Sequence, residues 1–158
     1  TNLEWCYLLG DFGVKVTGKK KVITTAPKTL CFGDITRQGL PFYGGEITYK
    51  LPVKTSGGKI TINAPHYRGG LITLECEGEK EAIIYEPYNA EFNLSAGEHI
   101  VEMTLYANRH NSFGCIHNAD REMRWLGPNS WRTKGNAWCY EYVLKEMGIL
   151  STPVVTEE

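Results

Sequence analysis

In Ile47-Thr48-Tyr49-Lys50-Leu51-Pro52-Val53 the apolar side chains fall at every second position, and Thr48 and Lys50 take the opposite face. A period of two belongs to a pleated strand with one buried face. Pro52 has no N–H to give to a ladder, which puts this strand at a sheet edge. Runs of similar character occupy Leu3 to Leu9, Lys21 to Thr25, Lys59 to Asn63, Leu71 to Cys76, Glu81 to Tyr85 and His99 to Tyr106. Turn signals separate them: Ser56-Gly57-Gly58, Arg68-Gly69-Gly70, Gly78 and Ala96-Gly97. Short strands with a turn about every ten residues predict an all-β sandwich or barrel.

Two stretches depart from this pattern. Residues Asn108 to Gly135 are polar and aromatic with little alternation, and too many for a structureless loop. Such segments carry function or hold short helices, and Arg121 to Leu126 is expected to form one helical turn. In Trp138 to Met147, Tyr140, Tyr142 and Leu144 alternate like a strand, whereas Trp138, Tyr142 and Lys145 share a helical face. The two tyrosines and Val143 suit a pleated surface, so a strand is expected there. Trp5, Phe42, Phe113 and Trp138 are expected in the core.

Composition narrows the class. With 158 residues, 42% apolar and 22% charged, the chain fits a single globular domain spanning 1–158 that buries a full core. Seventeen glycines and seven prolines agree with a turn-rich β chain. A formal net charge of -1 leaves no basic field for a phosphate backbone, so nucleic acid is not an expected partner. Lys19, Lys20 and Lys21 read as a solvated turn. No run approaches the roughly 18 apolar residues that cross a bilayer, and no membrane association is expected. The chain opens at Thr1 and not at a methionine, and is expected to be a C-terminal fragment of a larger protein. Its five cysteines are odd in number and widely spaced. They read as small buried hydrophobes of a reducing, cytoplasmic compartment, with one or two bridges left open.

Three segments together carry a resemblance. They are Gly39-Leu40-Pro41-Phe42-Tyr43-Gly44-Gly45-Glu46-Ile47-Thr48-Tyr49, then Leu94-Ser95-Ala96-Gly97-Glu98-His99-Ile100-Val101-Glu102-Met103-Thr104-Leu105. The third is Asn108-Arg109-His110-Asn111-Ser112-Phe113-Gly114-Cys115-Ile116-His117, followed by Trp125-Leu126-Gly127-Pro128. In this order, from about Leu3 to Pro153, the chain resembles the galactose-binding-like jelly-roll domains that accompany glycoside hydrolases, notably family-two-type enzymes. The resemblance implies a jelly-roll β-sandwich with at most one or two short helical turns. It also implies a catalytic barrel elsewhere in the parent chain and no catalysis in this domain. Relatives commonly carry an Asn-Gly turn where this chain has Glu77-Gly78-Glu79-Lys80. The glycine keeps the turn geometry, but a sugar contact from the asparagine has no counterpart.

Sugar recognition takes flat aromatic rings for the C–H face of a pyranose and planar polar groups for its hydroxyls. The long polar segment supplies both in Arg109, His110, Asn111, His117, Asn118, Trp125, Asn129, Trp131 and Arg132. His66, Tyr67 and Arg68 form a second cluster, with Tyr43 and Tyr88 beside turns that join either. The competing role for these rings is packing, in the core or on the parent's catalytic domain; Arg109 and Asn111 also suit anchoring of loop carbonyls. Two function classes follow from this: a carbohydrate-binding accessory domain, and a purely structural module on a catalytic barrel. An independent hydrolase ranks third, since no pair among the eighteen acidic residues is set apart by its context, Glu46 and Asp120 being the least ordinary. Cys115, His117 and His110 lack the paired spacing of zinc sites, so no metal is expected. No Asp-rich loop indicates calcium. Asn93-Leu94-Ser95 matches the glycosylation pattern as short sequences do by chance. No cofactor is expected.

Overall fold

The computed structural model describes residues 6–123, 126–131 and 134–158, with only the backbone at Asn129. Eleven strands are assigned among them: β1 (Phe12–Thr17), β2 (Lys20–Thr25), β3 (Glu46–Thr55), β4 (Gly58–Asn63), β5 (Tyr67–Arg68), β6 (Leu71–Cys76), β7 (Glu79–Ile83), β8 (Asn89–Leu94), β9 (Gly97–Tyr106), β10 (Gly148–Ile149) and β11 (Val154–Glu157). The fold is an all-β sandwich. One sheet runs β3-β9-β6-β7, the other β11-β4-β8, and all pairings are antiparallel. Two smaller pairs, β1-β2 and β10-β5, lie outside these sheets.

Alternation builds the core. β3 and β9 pair over ten residues, from Glu46 opposite Tyr106 to Thr55 opposite Gly97. Their inward positions are Ile47, Tyr49, Leu51 and Val53 on one strand and Val101, Met103 and Leu105 on the other. The second sheet contributes Ile60, Ile62, Ala90, Phe92 and Leu94 to the same cluster. As Pro52 indicates, β3 is an edge strand. The connections β3–β4, β6–β7 and β8–β9 are short turns, and all lie at one end of the sandwich. At the other end the chain leaves β9, and the described residues from 107 to 147 join no strand; they hold only single helical turns, bends and one isolated bridge.

At several points the structure departs from what the sequence leads one to expect. Residues 6–9 form no strand and are exposed, while residues 1–5, including Trp5, lie outside the described set. The neighbouring strand is β1, whose mixed Phe-Gly-Val-Lys-Val-Thr pattern hides its alternation behind a glycine. β7 ends at Ile83, so Ile84 and Tyr85 are exposed. Phe113 is 53% exposed and meets the Tyr7 ring edge-on at 5.0 Å. It ends the helical turn α1 (His110–Phe113) and faces away from the core. Phe42 and Trp138 are only half-buried. The described part of Arg121 to Leu126 is a turn without helix; single 3-10 turns occur instead at Ile35–Arg37, Pro128–Trp131 and Gly135–Ala137. Cys76 and Cys115 are buried as expected, but Cys6 and Cys31 are exposed; no disulfide forms among the described cysteines.

Gly148 anchors the return of the chain to the sandwich. It has φ 130°, and a Cβ there would run into the carbonyl oxygen of Gly33. This approach lets Gly33 N–H donate to Ile149 O (2.6 Å) and Ile35 N–H to Met147 O (2.8 Å), while Leu150 N–H reaches His66 O (2.7 Å).

Phe92 is among the largest fully buried side chains. Phe92→Ala is expected to lower the unfolding free energy by about 3–5 kcal/mol in urea titration. Val22→Ala, on the exposed ribbon, should change it by no more than about 0.5 kcal/mol.

Candidate functional site

The irregular segment is ordered by side chains bonding to backbone. Asn111 is 3% exposed. Its amide donates to Lys145 O at 2.8 Å and accepts from Lys145 N–H at 2.9 Å. Asp34 accepts from Thr36 N–H and, across the fold, from Met147 N–H at 3.2 Å. Ser112 donates to Phe42 O at 2.6 Å. His117 Nδ1 carries the proton it donates to Cys139 O at 3.0 Å, and Cys139 N–H returns to His117 O at 2.8 Å. Val143 N–H bonds Ile116 O, and Asn118 bridges Trp138. Residues 116–119 thus run beside 137–143 without becoming a regular ladder. The strand expected over Trp138 to Met147 is therefore absent, because its N–H groups go to scattered partners on four different segments.

These two segments together present a cluster of rings. His117 stacks on Trp138 with centroids 4.6 Å apart and planes 24° apart. Tyr142 tilts against His117 at 4.7 Å, Phe42 meets Tyr142 edge-on at 5.6 Å, and Tyr140 meets Trp138 edge-on at 6.1 Å. Tyr140 is 75% exposed. From the β1-β2 ribbon, Lys21 Nζ lies 5.3 Å from the Tyr142 centroid, within reach of a cation–π contact.

Beside Tyr142 opens a groove of about 770 Å³, between β1, the turn at Ile35–Arg37 and residues 141–146. Its walls carry both signs of charge. Arg121 pairs with Glu141 at 3.3 Å and Arg37 with Asp34 at 3.5 Å, while Lys145 Nζ donates to Arg121 O at 2.9 Å. Such a wall offers directional donors and acceptors next to a ring, as a polyhydroxylated ligand requires. His110, near Lys145, is held below the ordinary histidine pKa by burial and by that ammonium. Among the described residues no cluster of three or more His, Cys, Asp or Glu side chains is arranged to hold a metal ion.

The candidate residues divide accordingly. His117 belongs to the cluster. Asn111 is an anchor, both ends of its buried amide bonded to the Lys145 backbone. Trp131 is 52% exposed on its 3-10 turn. Arg109 is exposed at the start of α1, and Tyr43 is exposed with its hydroxyl donating to Glu46 O at 2.9 Å. Trp125 and Arg132, and the side chain of Asn129, lie outside the described residues. In the second cluster Tyr67 and Tyr88 meet edge to face at 5.8 Å, and Tyr67 donates to the carbonyls of Ile83 and Ile84 at 3.4 Å. Burial, with Tyr88 alongside, raises the Tyr67 phenol. His66 and Arg68 are exposed nearby. Sequence reasoning passed over Tyr140, Tyr142, Glu141 and Lys21. Trp138, Tyr140 and Tyr142 stand two apart, a period read only as a strand signal; the structure instead links them through ring contacts with His117 and with each other. No family model, curated protein or solved structure matches this chain.

Removing the Asn111 amide leaves Lys145 N–H and C=O without their partner. Asn111→Ala is expected to cost about 1–3 kcal/mol. Hydrogen exchange should quicken over residues 138–147 while the β3–β9 amides stay protected.

Proposed function

We propose that this chain is a non-catalytic accessory domain of a glycoside hydrolase-like protein, a jelly-roll module that binds or positions carbohydrate. The observation that carries this reading is Tyr142, which lines a groove with Arg121, Glu141, Asp34 and Arg37 on its walls and joins it, through His117, to the rings of Trp138 and Tyr140. A pyranose stacks its C–H face on a tyrosine and directs its hydroxyls to the guanidinium and carboxylate groups beside it. Carbohydrate and the catalytic domain of the same parent chain are the partners in this reading; the domain needs no cofactor for it.

A second reading, a structural module seated on that catalytic domain, draws on a different surface. Leu8 and Leu9 are 75% and 93% exposed, and Tyr7, Val22 and Ile23 are exposed with them. Exposed apolar side chains of this kind, consecutive in Tyr7-Leu8-Leu9 and again in Val22-Ile23, suit a protein interface.

Calorimetric titration with oligosaccharides, guided by a glycan array, separates the two. Binding is expected in the millimolar range or tighter, and Tyr142→Ala should weaken it about tenfold, the worth of one aromatic contact. No binding to any glycan, or binding indifferent to both Tyr142→Ala and Tyr140→Ala, counts against the sugar reading. For the structural reading, sedimentation velocity should detect self-association that the double substitution Leu8→Ser and Leu9→Ser abolishes. Retained glycan affinity in that variant would assign the two roles to separate faces.

A further inference from the structure

His99 points into the sandwich from β9, between the turn joining β6 to β7 and the turn joining β8 to β9. Its side chain is 4% exposed. Nδ1 lies 2.7 Å from Glu77 Oε1, and Nε2 lies 2.9 Å from the carbonyl oxygen of Ser95. A carbonyl only accepts, and so does an ionised carboxylate. A neutral imidazole has one N–H, so it satisfies one of these contacts and sets lone pair against lone pair in the other. The imidazolium donates to both. We infer that His99 is kept protonated in the folded domain and acts as a proton-dependent latch between the two turns.

The local sequence supports the latch. Glu77 and Gly78 form the two-residue turn between Cys76 and Glu79, with φ 51° and 92°. Asn or Asp tolerates the first of these positions better than glutamate does. Glutamate there is therefore unfavourable for the turn itself. What it gains is reach: its carboxylate extends from the end of β6 to His99 on the neighbouring strand β9.

Other groups at this end leave the assignment intact. Opposite His99 on β3 stands Val53, with Thr55 two residues on; β8 ends in Leu94. Lys54 and Glu98 occupy the outward positions and pair with each other at 3.5 Å. Glu79 and Lys80 continue along exposed β7, Lys80 pairing with Glu75 at 3.2 Å. The buried Cys76 thiol is raised by burial and then by Glu77 and Glu79, so it stays neutral beside the pair. The Ser95 carbonyl, and then the Glu77 carboxylate, hold the His99 pKa above its ordinary value against the opposing effect of burial. Because the folded value is the raised one, this stabilisation is complete below the unfolded pKa of about 6.5 and is lost as pH climbs through the folded pKa. The proton then passes to solvent, and one of the two contacts opens.

The test is a ¹⁵N titration of the four histidine rings in the full 158-residue chain, across about pH 5 to 9. Both ring nitrogens of His99 should be protonated at about pH 6.5, with a midpoint above that value and above that of His110. Glu77→Gln, which keeps the side-chain length, should move the His99 midpoint down, and Tm should fall less steeply with rising pH than in the wild type. A neutral His99 tautomer at about pH 6 overturns the latch. So does a Glu77→Gln variant that titrates like the wild type. His99→Gln serves as a second variant; if it folds, an unchanged slope of Tm against pH also overturns the proposal.

Discussion

Side chains alternate across a strand, so a slip of one residue between β3 and β9 would turn Ile47, Tyr49, Leu51 and Val53 to solvent and carry Thr48, Lys50 and Pro52 inward. The burial of four apolar residues on β3 against Val101, Met103 and Leu105 forbids that slip. Register at this ladder then fixes where β9 ends, at Tyr106 opposite Glu46. Every later residue up to 147 departs from that point. The rings of the candidate site therefore inherit their position from apolar packing that lies entirely inside the sandwich.

Beyond Tyr106 a different kind of force takes over. The segment that carries α1 and the ring cluster has few apolar residues to bury and no ladder to join. It is held by amide and carboxylate side chains that act as substitute strands: Asn111 offers Lys145 one donor and one acceptor, as a neighbouring backbone would. Asp34 does half as much for Met147. Such bonds are worth little each when made and cost more when a buried partner is left alone. Conformation here rests on a few polar residues, and the surrounding rings then remain available to face solvent.

This difference explains what the sequence discloses. The sandwich strands are legible because a buried face repeats at every second residue, as in Ile47 to Val53 and His99 to Tyr106. The edge position of β3 is legible from Pro52 alone. β1 is obscured because Gly13 interrupts its apolar face, and β8 because Asn89, Glu91 and Asn93 alternate one for one with Ala90, Phe92 and Leu94 and cancel them in any average. At the site, Asn111 looks the same in sequence whether it meets a sugar or a carbonyl; the choice depends on Lys145, thirty-four residues away. Phe113 is equally ambiguous, for a large ring reads as core until the turn that carries it is placed. Tyr140 and Tyr142 alternate with Trp138 in the sequence, but the backbone bends at 140 and 141, so the rings reach one another by tertiary contacts, Tyr140 on Trp138 and Tyr142 on His117, that no spacing announces.

The ribbon formed by β1 and β2 links these two regimes. A two-stranded ribbon is marginal by itself, and every residue of β2 is exposed. It is fastened by Val14 N–H to Gly39 O at 2.8 Å, by Tyr142 N–H to Gly18 O at 3.3 Å, and by Lys21 over the Tyr142 ring. Two of these three fastenings involve Tyr142, which also lines the groove that the ribbon closes. The ring is thus both a wall of the groove and an attachment of the opposite wall. The position of the Tyr142 ring and the width of the groove are for that reason mechanically coupled: a shift of the ring disturbs both the Gly18 hydrogen bond and the Lys21 contact that hold the ribbon in place.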